Sequence, residues 1–211
     1  MGTRNLVCVV LNHEYKIAQY GQWDGYPSGQ GLTLLHFLRD RMDKNLFLTK
    51  LTCLARWVTD EEVKEAWAKA GHTKDKGPFV SFDTVAIYDK FMPFHSRDHG
   101  AKVLEMIQDA PEEPILLRDS HDFAADSLFC EYAYVVDFDN NTFEVYKGFN
   151  EKLLDPLDPK ERFSDLEPAD KNSSYYPVRH WHTFDLKALP TDEEFLAILQ
   201  DETEEEELNN D

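Results

Sequence analysis

Two strand–turn–strand segments leave this chain few ways to fold. Residues 5–11 (NLVCVVL) and 15–20 (YKIAQY) flank a short Asn-His-Glu turn, and residues 131–138 (EYAYVVDF) and 142–147 (TFEVYK) flank an Asp-Asn-Asn turn. Runs rich in Val, Ile and aromatics between turn residues are the signature of β-hairpins. Alternation in the last run places Phe143 and Val145 on one face and Thr142, Glu144 and Tyr146 on the other. Both hairpins are expected to supply adjacent central strands, and 178–184 (VRHWHTF) reads as a further strand.

Helical signals lie between and after the hairpins. Thr59 with Glu62, and Thr191 with Glu194, are capping-box pairs ahead of apolar runs, the first stopped by Gly71. Thr33 is expected to cap a helix reaching about Met42, and 99–108 carries Val103, Leu104 and Ile107 on one helical face. Residues 46–57 fit strand or helix, 79–88 read as containing a strand, and 150–174 as loop or short helix. No βαβ rhythm is present, so the class expected is α+β, a mostly antiparallel sheet with helices, over one domain spanning 1–200.

The formal charge of −19 is concentrated at the end of the chain, where ten of 41 carboxylates fall within 192–211 and no Lys or Arg occurs. The acidic tail 201–211 is expected to be disordered by self-repulsion. Without a basic stripe, the only knots of positive charge being Arg39/Arg41/Lys44 and Lys74/Lys76, the composition disfavours nucleic acid. No apolar run approaches membrane-spanning length and no secretory leader is seen, so a soluble, cytoplasmic protein is expected. Cys8, Cys53 and Cys130 are too few and too scattered for a disulfide framework, and each sits among apolar neighbours as a buried thiol would.

The segment GQWDGYPSGQG holds four of the nine glycines, Gly21, Gly25, Gly29 and Gly31. Such density permits positive φ and close approach of the backbone to a ligand, while Trp23, Asp24 and Tyr26 bring stacking surface and charge. It lacks the Gly-Lys-Ser/Thr ending of a phosphate loop and the dinucleotide fingerprint. A neutral, cationic or sugar-like ligand, contacted by Gln19, Gln22, Trp23, Gly25, Tyr26 and Ser28, suits it better, with a compact structural turn as the alternative. No cofactor is implied. His95/His99 and His180/His182 have spacings that can chelate, but neither pair has a second pair marked to face it, and no metal is expected.

Residues 118–131 gather further polar groups, of which Asp122 and Glu131 are expected to join Asp24 as acidic partners. Arg4 is an electrostatic anchor in that reading, and Thr3 a nucleophile only after an additional cleavage.

At these residues the chain resembles a family of fungal, bacterial and phage proteins, without an assigned activity, that begin Met-Gly-Thr-Arg and carry a Trp-Asp-x-Tyr-Pro-x-Gly-x-Gly loop. Here those are residues 1–4 and 23–31, with 122–150 as a second shared block. More loosely, the opening hairpin behind a chemically marked terminus resembles N-terminal nucleophile hydrolases. That comparison implies a four-layer αββα architecture. Gly2 stands where the nucleophile would be, which favours a ligand-binding relative or another chemistry. The expected function is binding of a small polar molecule, with amide-type hydrolysis as an extension. An interaction or inhibitor module using Trp23, Tyr26 and Trp181, with a protein partner or a second copy, is the rival, and a purely structural domain the third reading.

Overall fold

The computed structural model describes residues 2–73, 77, 79–170 and 173–209, the stretch 201–209 by its backbone only. Its strands are β1 (Asn5–Leu11), β2 (Glu14–Gly21), β3 (Ala55–Trp57), β4 (Ile115–Leu117), β5 (Tyr132–Asp137), β6 (Thr142–Lys147) and β7 (Arg179–Asp185). Five of them form one sheet in the order β2-β1-β5-β6-β7, while β3 and β4 make a separate parallel ladder. The two hairpins lie side by side as expected, β1 running parallel to β5 from Asn5↔Tyr132 to Val10↔Asp137, and every other pairing in the large sheet is antiparallel.

That register gathers both hairpin turns at one end of the sheet. Asn12 and His13, both at left-handed φ of 57° and 62°, make the tight turn of the first hairpin. Their N–H groups donate to the Asp139 carboxylate in the second turn at 2.9 and 2.7 Å. The opposite end collects the starts of β1 and β5 and the ends of β2 and β6, and there the glycine-rich loop emerges.

β1 and β5 are buried along nearly their whole length because both sheet faces are covered. On one face Val7, Val9, Tyr134, Val136, Phe143 and Val145 meet helices. These are α1 (27–41), α2 (Lys44–Cys53), α5 (Lys102–Asp109) and α6 (Asp192–Asn209), with α3 (Asp60–Lys69) and α4 (Phe82–Phe91) forming a smaller outlying cluster. On the other face Leu6, Cys8, Ala133, Val135 and Tyr146 meet Ala124, from a single 3₁₀ turn (His121–Ala125), and Phe163 and Val178 from irregular chain.

The four-layer expectation is corrected here. Among the described residues no second sheet stacks on the first, because the segments covering the second face are too rich in Pro, Asp and Ser to form strands, and a coil layer takes that place.

Other expectations shift locally. The helix assigned to Thr33 starts earlier, with Tyr26 at its N-cap and Pro27 in its first turn. Thr33 lies inside it and donates its hydroxyl back to the Gly29 carbonyl at 2.9 Å. Residues 79–88 are not a strand: Ser81 accepts from the Thr84 N–H and caps α4, which buries Tyr88 against Trp67 at a ring separation of 3.8 Å. The ambiguous 46–57 stretch resolves into both elements, α2 and then β3. Both capping boxes form. The backbone of α6 continues as helix into the acidic run read above as unstructured. Lys74 and Lys76 lie outside the described residues.

Cys8 and Cys130 are buried as expected, and burial pushes both thiols well above their ordinary range. Cys53 is instead exposed, since it ends α2 on the side facing solvent. A thiol reagent at pH 8 is therefore expected to modify one cysteine in the folded protein and three after denaturation. Rapid modification of two or three in the native state would contradict this burial.

Candidate functional site

The glycine-rich loop is a compact structure braced from three directions. From the start of β1, the Thr3 carbonyl accepts the Gly25 N–H at 2.9 Å. From beneath, the hydroxyl of fully buried Tyr134 on β5 donates to the Gly25 carbonyl at 2.7 Å. From the segment before α5, the Arg97 carbonyl accepts the Gln22 N–H at 2.9 Å, and Asp98 accepts the Trp23 indole N–H at 2.7 Å. Gln30 then closes the loop on itself, its N–H donating to the Asp24 carbonyl and its side-chain amide to the Trp23 carbonyl, while its oxygen takes the Ala101 N–H.

None of the four loop glycines has positive φ; the residue that does is Asp24, at 55°. Asp is among the few L-residues that tolerate this region. The glycines serve close packing of chain on chain instead. A Cβ on Gly25 would lie 2.9 Å from both the Thr3 and Arg4 carbonyl oxygens, and one on Gly29 would overlap the Asp24 carbonyl oxygen.

This bracing leaves an open cleft of about 710 Å³ between the loop, the first turns of α1 and the start of α5. Trp23, Asp24, Tyr26 and Ser28 line it, joined by His36, Asp98 and Lys102. Trp23 and Tyr26 are 46% and 51% exposed, so their rings remain available for stacking even though the Trp23 indole is fixed at its nitrogen. His36 is oriented by Asp192 at 2.7 Å, and the hydrogen bonds from His36 and then Arg39 hold the Asp192 carboxyl below its usual range.

The other residues singled out from sequence lie elsewhere. Gly25 is buried with both backbone groups taken by the protein, and Gln22 accepts from the Tyr20 hydroxyl at 2.6 Å. Gln19 is buried and donates to the Tyr20 and Ser96 carbonyls. Thr3 is buried beneath the loop. The Arg4 N–H donates to Glu131 at 3.2 Å while its guanidinium stacks on Phe129 at 4.6 Å, so Arg4, read as an electrostatic anchor, does not reach the cleft. Asp122 points outward with its side chain 99% exposed and does not join Asp24.

His36, Asp98 and Lys102 escaped sequence reasoning because their role depends on distant segments meeting, Trp23 and Asp98 being 75 residues apart. Of the spaced histidines, His99 contacts the Pro93 carbonyl, His95 the Tyr88 hydroxyl and His180 the Thr183 hydroxyl. Among the described residues no group of three His, Cys, Asp or Glu side chains is placed to hold a metal ion, and no helix is long and apolar enough to cross a membrane. Compared with known proteins, the chain matches no family model, no curated protein and no solved structure.

Proposed function

We propose that the cleft beside Trp23 binds a small polar molecule with a neutral or cationic recognition group, held against the Trp23 and Tyr26 rings and hydrogen-bonded by Asp24, Asp98 and Ser28. The observation that carries this reading is a concavity walled by half-exposed aromatic rings whose supporting loop is braced from three separate parts of the chain. Preorganised aromatic and polar groups around a cleft of this size are what small-molecule recognition needs.

Binding is favoured over hydrolysis. Thr3, Arg4, Asp122 and Glu131 do not line the cleft. Ser28 and His36 do, but eight residues of helix separate them by about 12 Å, too far for a nucleophile and its base. A second reading, a protein-docking surface at this end of the sheet, draws on the row of rings Tyr26, Tyr132 and Trp181 with centroids 6.0 and 6.1 Å apart.

Thermal shift against polyols, amino-acid amides and primary and quaternary amines tests the first reading. A ligand at tenfold over its Kd is expected to raise Tm by about 3 °C or more. Trp23→Ala and Asp24→Asn are each expected to weaken it about tenfold; Asn keeps the left-handed backbone, so that variant isolates the carboxylate. Compounds whose effect survives both substitutions, or a library without a stabilising member, would sink the proposal.

A further inference from the structure

A second pocket lies along the outer edge of β2, the edge strand of the large sheet. Exposed edges are normally covered, and here two segments do so incompletely. The Ser120 N–H donates to the Ala18 carbonyl at 3.0 Å, and the Gln22 N–H to the Arg97 carbonyl at 2.9 Å. Residues two apart in an antiparallel ladder present their backbone groups to the same edge, so Tyr20, midway between these bridges, turns its N–H into the gap. Its carbonyl is already occupied by the Gln19 amide at 3.0 Å.

The gap is a pocket of about 450 Å³ whose rim carries Arg97 and Arg118, with Ser120 beside them. Among the described residues neither guanidinium has a hydrogen-bond or ion-pair partner, in contrast to Arg39, Arg41, Arg56 and Arg162, which all pair with carboxylates. The one carboxylate in the lining, Asp119, accepts from the His121 N–H at 2.9 Å. His95 adds no charge at neutral pH, since burial first and Arg118 second lower its pKa to about 4. Two unpaired arginines converging on one concavity are conspicuous in a chain of net charge −19.

We propose that this pocket binds a phosphate group, free or carried on a small molecule, with Arg97 and Arg118 donating from the rim and the Tyr20 N–H and Ser120 hydroxyl from within. Guanidinium forks match phosphate oxygens in geometry as well as charge, and the backbone N–H and hydroxyl supply donors to the remaining oxygens. The site is separate from the Trp23 cleft and does not depend on it.

The test is titration of the full chain with inorganic phosphate, glycerol phosphate and acetate at constant ionic strength, followed by calorimetry and by the Tyr20 amide in a ¹H–¹⁵N spectrum. Saturable phosphate binding that moves the Tyr20 amide is expected, weakened at least about tenfold by Arg97→Gln or Arg118→Gln and unchanged by Arg41→Gln, whose side chain pairs with Glu105 at 2.8 Å. Tighter binding of glycerol phosphate would support an esterified ligand, and tighter inorganic phosphate the free ion. No saturable response below about 10 mM of either phosphate compound, acetate binding as tightly, or affinity indifferent to both arginine substitutions would overturn the proposal; all variants are surface changes whose folding is checked by their melting curves.

Discussion

Arg162→Met is expected to destabilise the protein by about 3–5 kcal/mol at pH 7, the cost of removing one partner from a buried ion pair. The Arg162 guanidinium reaches Asp137 at 2.7 Å and Glu144 at 2.7 and 2.9 Å, and these two carboxylates are only 2% and 11% exposed. Tyr146 adds its hydroxyl, donating to Glu144 at 2.8 Å. Without the arginine, Asp137 keeps the Asp139 and Asn140 N–H groups and the Asn140 side-chain amide, and Glu144 keeps the Thr142 and Tyr146 hydroxyls, but two neighbouring charges are left under the coil layer with no cation between them. Replacing Glu144 by Gln in the same chain is expected to recover part of the loss.

The pH dependence gives a second reading of the same triad. Burial disfavours ionisation of Asp137, but hydrogen bonds from Asn140 and Arg162 outweigh it and hold the carboxyl below its ordinary value. Its folded pKa therefore lies below the unfolded one, near 3.9, so its contribution is present above about pH 4 and lost as pH falls through the folded value. In Arg162→Met that advantage shrinks, and the gap in stability between the two proteins should narrow on acidification. Urea unfolding at pH 7 and pH 3.5 checks this; a gap that stays constant or widens would contradict the assignment. Arg162 thereby explains how an irregular segment can stand in for a second sheet, since a charged staple ties it to β5 and β6.

Gly29→Ala is the second large effect, and it bears on function. The new methyl would overlap the Asp24 carbonyl oxygen, a backbone atom that cannot rotate aside. Either Asp24 leaves its left-handed conformation or the first turn of α1 moves, and the Gln30 N–H to Asp24 carbonyl bond at 2.8 Å goes with it. Overpacking of this kind costs about 1–3 kcal/mol. Since Asp24 and Ser28 both line the cleft, ligand affinity should fall by more than the stability loss alone would suggest. Ser28→Ala in the same turn, where the side chain is exposed, is the control and should change stability by no more than about 0.5 kcal/mol. A Gly29→Ala protein with native stability and intact binding would show that the loop is not the rigid frame described.

What the sequence disclosed followed the range of its signals. The hairpins and the Thr59/Glu62 and Thr191/Glu194 boxes act within a few residues, and all form. The short apolar run before Tyr88 reads as a strand, but the Ser81 cap makes it a helix. In the loop, glycine density suggested positive φ, but that conformation belongs to Asp24, and the glycines make room for neighbouring chain. Trp23 with Asp98, His36 with Asp192, and Arg162 with its two carboxylates are joined only by the crossing of distant segments. No local pattern announces such pairs.

Ligand binding in the proposed cleft has a reporter within it, the Trp23 indole, whose N–H is held by Asp98. The most direct test of such binding is the indole N–H signal of Trp23 in a ¹H–¹⁵N spectrum, assigned with Trp23→Phe and followed during titration with each compound that raises Tm. A saturable shift of that signal together with the Ser28 and Gly29 amides is expected, while the indoles of Trp57, Trp67 and Trp181 stay in place. Shifts confined to those other indoles, or a Trp23 signal indifferent to every stabilising compound, would contradict it.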